Sequence, residues 1–133
     1  CVNASHSLRR LLALRITQML VRGFTKGSSP ATAARVSHEL GVPVRLVNAI
    51  LGDLVASRIL SETSADGGKE VAYQPARSVD ALTAAFVLEA LDDRGTDAMP
   101  LVDSPELDRL AGSLRAFRDA IRSSPANVAL KDI

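Results

Sequence analysis

The sequence predicts a mainly α-helical fold with one small β-hairpin. Three observations carry that reading. Apolar residues recur at three- and four-residue spacing in several separate stretches. Ser, Thr or Pro stands at the start of most of these stretches, where helix caps and first turns belong. The segment 59–74 breaks the pattern and reads as two short strands around a Gly-Gly turn.

The elements follow in order. Leu8, Leu12, Ile16, Met19, Leu20 and Gly23 mark a first helix over Leu8 to Phe24, capped by Ser5 or Ser7. Leu11, Leu14 and Val21 widen its apolar stripe, so more than one side must be covered. Lys26 to Pro30 is a loop by composition. Thr32 caps a short second helix, with Val36 and Leu40 inward, that Gly41 stops. Pro43 opens a third helix running to about Ser57, at a first-turn position where its missing N–H does no harm. Leu46, Val47, Ile50, Leu51, Leu54 and Val55 form its inner face, leaving Arg45, Asn48, Ala49, Gly52, Asp53 and Ala56 outside.

Residues 59–63 and 71–74 are the expected strands, with a Gly-rich turn over 64–69. Thr83 caps a fourth helix that ends near Gly95, and Thr96 to Ser104 is a linker. Ser104, Pro105 and Glu106 then start a fifth helix with cap, first-turn proline and dipole-matched acid in place. Leu107, Leu110, Leu114, Phe117 and Ile121 form a seam about two heptads long, short for a coiled coil. The expectation is that this seam covers the outer side of the first helix near Leu11, Leu14 and Val21, with a dimer seam as the alternative. The tail from Asn127 to Ile133 is short enough to dock as an extended strand.

Composition bounds the function. The 133 residues (14.1 kDa) hold 47% hydrophobic and 23% charged residues, an ordinary balance for a globular domain and wrong for a disordered chain. One domain is expected: a core over 1–95, with linker, last helix and tail over 96–133 packed on it. A single cysteine rules out an internal disulfide framework. Aromatics at 3% argue against stacking platforms for single-stranded nucleic acid. No apolar run reaches the roughly 20 residues of a membrane span. The first 60 residues carry eight Lys/Arg against two acids, and the rest carries eight against thirteen. A basic front half suits nucleic acid or an anionic membrane surface, or acidic faces elsewhere in the same molecule. The chain starts with Cys1 rather than Met, which reads as a segment of a longer protein, the alternative being a lipidated mature N-terminus.

Helix, helix, turn, helix, hairpin, helix is the order of a winged helix-turn-helix. In such a unit the second helix braces the third, whose exposed side can enter a major groove, while the wing reaches phosphates. Arg45 and Asn48 are the base-edge candidates, Lys69 the wing contact, and Arg35 adds to the footprint along with Lys26. Asp53, Glu62, Asp66 and Glu70 oppose them, so a protein segment competes with nucleic acid as the partner. Catalysis has no support. His6 and His38 are isolated, without carboxylates or a second His at metal-ligand spacing, and no phosphate-cradling loop is present. No enzyme activity, cofactor or metal is expected.

Two resemblances bear on this. The stretches LRRLLALRITQMLVRGF, ELGVPVRLVNAILGDLVASRIL and VAYQPARSVDALTAAFVLEAL resemble the soluble C-terminal region of YihY/BrkB-type inner-membrane proteins, often labelled ribonuclease BN. That resemblance implies membrane spans before Cys1 and a non-catalytic regulatory or interaction domain at the cytoplasmic face. Arg9, Arg10, Arg15 and Arg22 would then mark the cytoplasmic side. Metal-dependent ribonuclease chemistry needs clustered ligands that this chain lacks. The helix-turn-helix, the wing and the segment holding Tyr73, Ala76 and the Thr83-capped helix are also similar to IscR-like winged-helix repressors. This second resemblance implies a cytoplasmic DNA-binding transcription regulator acting as a homodimer. Iron–sulfur members use cysteines after that helix; Asp92 to Ser104 has none, so the resemblance is to a cluster-free repressor.

Overall fold

The computed structural model describes residues 3–95 and 99–133. Cys1 and part of the expected linker, residues 96–98, lie outside the described residues. Five helices and a three-stranded antiparallel sheet follow one another as α1 (His6–Thr25), β1 (Ala31–Thr32), α2 (Ala33–Leu40), α3 (Val44–Ala56), β2 (Leu60–Ala65), β3 (Glu70–Pro75), α4 (Ala84–Asp92) and α5 (Pro105–Ser123). The fold is mainly helical with a small sheet, as the spacing of apolar residues predicts.

The caps work as local chemistry requires. The Ser5 hydroxyl accepts from the Leu8 N–H at 3.1 Å, Thr32 from Arg35 at 3.2 Å, Thr83 from Phe86 at 3.2 Å and Ser104 from Leu107 at 3.0 Å. Gly41 ends α2 in the left-handed region, at φ 66°, which a side chain would strain. Pro43 stands at the cap of α3, one residue before the first turn where the sequence places it. Its carbonyl accepts from the Leu46 and Val47 N–H groups.

The sheet order is β1-β3-β2. The hairpin is longer than its apolar residues suggest: pairing runs from Leu60↔Pro75 to Ala65↔Glu70. Gly67 and Gly68, both at positive φ, close the turn. The third strand has no counterpart in the sequence reading. Ala31 and Thr32 pair with Tyr73 and Ala72, so the loop after α1 enters the sheet just before Thr32 caps α2.

The core lies where α1, α3 and the sheet meet. Ile16, Val21, Val47, Leu51, Leu54 and Ile59 are fully buried in it. The buried hydroxyl of Thr17 donates to the Ala13 carbonyl at 2.8 Å, which removes its desolvation penalty.

The tail docks, but as a bridge and turn rather than a strand. Thr83 pairs with Ala129 and the Leu130 N–H donates to the Leu82 carbonyl at 3.0 Å. A 3-10 turn over Leu130–Asp132 then buries Leu130. Gln18 and Arg22 of α1 donate to the carbonyls of Ile133 and Lys131 at 2.8 and 3.0 Å. The tail therefore occupies the side of α1 expected for α5.

The α5 seam corrects the sequence reading. Leu110, Leu114, Phe117 and Ile121 are 64, 68, 63 and 52% exposed, and α5 has no buried residue. Along α4, α5 is met by an edge of charge. Arg118 pairs with Glu89 at 3.5 Å and Asp93 at 3.1 Å, and Arg122 with Glu89 at 2.8 Å.

Candidate nucleic-acid interface

The outward side of α3 follows from its inward side. Leu46, Val47, Ile50, Leu51 and Leu54 point into the core, which turns Arg45, Asn48, Ala49, Gly52 and Ala56 to solvent. At the helix start, Val44 is exposed as well. Beyond Arg45 and Asn48 the face is made of small residues. A Cβ added at Gly52 would meet nothing within 4 Å, so the bare backbone there serves no packing inside the chain. Such a face lets a helix backbone come close to another surface. The polar reach is concentrated in the first turns, where recognition helices touch base edges.

The bracing of α3 is specific. Val36 of α2 is fully buried, and the Ser37 hydroxyl donates to the Val42 carbonyl at 2.6 Å across the turn. At the other end, the N–H groups of Arg58 and Ile59 return to the carbonyls of Val55 and Leu54 at 3.0 Å each. Arg58 takes the left-handed conformation there, φ 61°, at a position that favours glycine. Its carbonyl accepts from Arg77 Nε at 3.2 Å, and the Arg77 guanidinium lies 5.2 Å over the Phe86 ring. The end of α3, the exit of the hairpin and α4 are thus tied together.

The structure brings Arg35, Arg45 and Asn48 onto the α2–α3 pair, all exposed, and sets Lys69 apart beside the turn of the hairpin. Arg35 is ion-paired with Glu39 one turn along α2 at 3.0 Å. Glu62 and Glu70 are exposed on the hairpin, as expected from sequence. Burial, and after it the charge of Glu62, pushes the Tyr73 phenol above its ordinary pKa, so it stays neutral.

Asp53 does not oppose the cations of α3 as the sequence suggests. Its two carboxylate oxygens are held by Arg9 at 3.2 Å and by Arg94 at 3.0 Å. The acid is thereby turned to the α1 side and screened. Arg9 and Arg94 are functional neighbours that sequence reasoning misses, because both are remote from Asp53 along the chain. Among the described residues, no group of His, Cys, Asp and Glu could hold a metal ion, and no helix is long and apolar enough to cross a membrane.

No protein-family model matches the chain, and no curated protein matches it in sequence. Solved structures do. CymR, the global cysteine regulator of B. subtilis, is similar with a TM-score of 0.63 at 15% identity, over 99% of this chain and 95% of its own. Staphylococcus aureus CymR gives 0.58 at 17% identity, over 93% of each chain. T. potens IscR gives 0.62 at 11% identity, over 98% of this chain and 85% of its own. None of these three is a YihY/BrkB-type domain, so the membrane-protein resemblance gains no structural support. At these identities the likeness establishes the fold: from α1 through α5 and the tail, this chain is built as the winged-helix regulators are.

Proposed function

We propose that this chain is a DNA-binding transcription regulator that works as a homodimer, with α3 in the major groove and α5 as the dimer seam. The observation that carries the proposal is the extent of the likeness. It includes the long α5 and the tail, not the helix-turn-helix alone. The exposed seam supports the same reading. Four large apolar side chains more than half in solvent are unfavourable on an isolated chain and become favourable when paired. Two copies would also double a set of exposed cations, Arg35, Arg45 and Lys69, that is sparse in one.

Arg45 and Asn48 are the proposed base readers, Lys69 and Arg35 the proposed phosphate contacts. The cytoplasm is the matching location, and the reading requires no catalysis and no cofactor. The test is selection from random duplexes, then titration of the winner with the parent and with Arg45→Ala. A two-fold symmetric site bound with Kd on the order of 10⁻⁸ M or tighter is expected. Arg45→Ala should weaken it by ~1–3 kcal/mol, mainly at one base position in each half-site. Binding of only about 10⁻⁴ to 10⁻⁶ M, unchanged by Arg45→Ala, would reject the proposal and leave a protein-interaction module.

A further inference from the structure

A cavity of about 410 Å³ opens beside the DNA-facing surface, walled by the second half of α1, the loop over 26–30, α2, β3 and the tail. Its size falls within the range of small-molecule sites, roughly 300–1,000 Å³. Four cations line it, Arg15, Arg22, Lys26 and Arg35, against one acidic side chain among the described residues, Glu39. Glu39 is taken by Arg35. Arg15 donates only to the neutral Gln18 amide, and Arg22 to the Lys131 carbonyl. Among the described side chains, neither is paired with a carboxylate, and cations outnumber acids around the recess. Beside it lie apolar walls from Met19, Leu20 and Phe24, and Phe24 is more than half exposed.

Gly23 adds an independent observation. It lies inside α1 with ordinary helical φ, where glycine costs about 1 kcal/mol relative to alanine. Packing does not demand it: an added Cβ would meet only Ser28 Cβ, at 3.9 Å. What the missing side chain does is keep the cavity open, since Gly23 is part of its lining.

We propose that this cavity binds a small organic anion, a carboxylate or phosphate monoester with an apolar body. Arg15 and Lys26 meet the anionic head, and Met19, Phe24 and the Tyr73 ring meet the body. Guanidinium groups suit both heads, through paired N–H donors. The apolar walls of Met19, Leu20 and Phe24 beside the cations have no use for the phosphates of a DNA backbone, which favours a small molecule over a duplex. The cavity borders the proposed DNA interface and shares Arg35 with it, but Arg15 lies outside the proposed DNA contacts and the test needs no DNA.

The protein is titrated with 4-fluorobenzoate and with phenyl phosphate, following fluorine or ligand-proton NMR signals, with 4-fluorobenzamide as the uncharged control. One saturable site is expected for at least one anion, with the amide at least about tenfold weaker. The exposed pair Arg15→Gln and Lys26→Gln together should weaken the anion by about tenfold or more. Gly23→Leu should remove binding while its thermal midpoint stays at or above that of the parent. If Gly23→Leu lowers the midpoint, the Arg15→Gln/Lys26→Gln pair decides. No saturable binding of either anion would overturn the proposal. So would binding that survives the decisive variant, or inorganic phosphate binding as tightly as phenyl phosphate. Displacement of the probe by random duplex with no effect of Gly23→Leu would instead assign the cations to DNA.

Discussion

Helices α3 and α5 carry the same kind of apolar spacing and meet opposite fates. In α3, five large side chains disappear into a core closed by α1, α2 and the sheet. In α5, six residues longer, none is buried, and the helix leans on α4 through Arg118 and Arg122. Periodicity therefore states that a face will be covered, without stating by what. For α3 the cover comes from the same chain. For α5 the nearest apolar surface is the shallow groove formed with Ala85 and Leu88 of α4, beside Arg10 of α1. Fully burying Leu110, Leu114 and Phe117 of α5 would contribute about 1.5–3 kcal/mol each, and within one chain much of that stabilisation is left unused.

The contrast is broken most directly by truncating one leucine on each helix. Leu54→Ala removes a fully buried side chain from the core and should cost about 2–5 kcal/mol in urea unfolding at any protein concentration. Leu114→Ala, measured at concentrations low enough for monomers, should stay within about 0.5 kcal/mol of the parent. Equal losses at low concentration would mean that α5 is packed inside the single chain after all.

Self-association sharpens the same comparison. Phe117→Glu places a charge in the middle of the seam without touching the core. The parent should sediment as a dimer and melt at a temperature that rises with concentration. The variant should sediment as a monomer and lose that dependence. A parent that remains monomeric at the highest soluble concentration would remove α5 as a dimer seam and leave it for a different protein.

Smaller effects probe the backbone in the second half of α3 and just past its end. Arg58→Gly relieves a left-handed arginine at the helix end and should stabilise by about 0.5–1 kcal/mol. Gly52→Ala should stabilise by about 1 kcal/mol, since the space there is open, yet it thickens the face proposed to approach DNA. A stabilised Gly52→Ala protein with weakened duplex binding would separate fold from function at one position. Unchanged binding would place the DNA against the earlier turns of α3.

What the sequence makes legible is local. Thr32, Thr83 and Ser104 sit at their helix starts because a hydroxyl satisfies an N–H three residues on, a rule that needs no tertiary partner. The solvent faces of Arg45 and Asn48 follow from the helical period alone. β1 is invisible because two residues carry no alternation and are held only by Tyr73 and Ala72, far along the chain. Asp53 looks like a liability for DNA until Arg9 and Arg94 are brought to it by three different helices and their ends. The anion cavity is hidden for the same reason: Arg15, Lys26, Arg35 and Tyr73 become neighbours only through the fold. The seam of α5 is plain in the sequence, and what it packs against is not.

The smallest predicted effect compares how the two C-terminal elements are tethered. Arg122 of α5 is held above its already high pKa, first by its hydrogen bond to Glu89 and then by the charge of Glu89, and it stays charged at any accessible pH. In the tail, Lys131 Nζ lies 2.6 Å from Asp80 Oδ1. That hydrogen bond, followed by the charge of Asp80, raises the lysine pKa above its ordinary value. A cation whose pKa is higher folded than unfolded stabilises the fold fully below its unfolded pKa. The contribution is lost as pH rises through the folded pKa. Alkali should therefore loosen the tail and leave α5 in place on α4. Both partners are in solvent, so the effect is modest and shrinks with added salt. The measurement is thermal melting of the parent and of Lys131→Met at about pH 8 and about pH 11, on either side of the ordinary lysine pKa. The gap between the two proteins should narrow at the higher pH. A gap of constant size would show that the Lys131 side chain contributes through its apolar stem and not through its charge, since its carbonyl still accepts from Arg22 in both proteins.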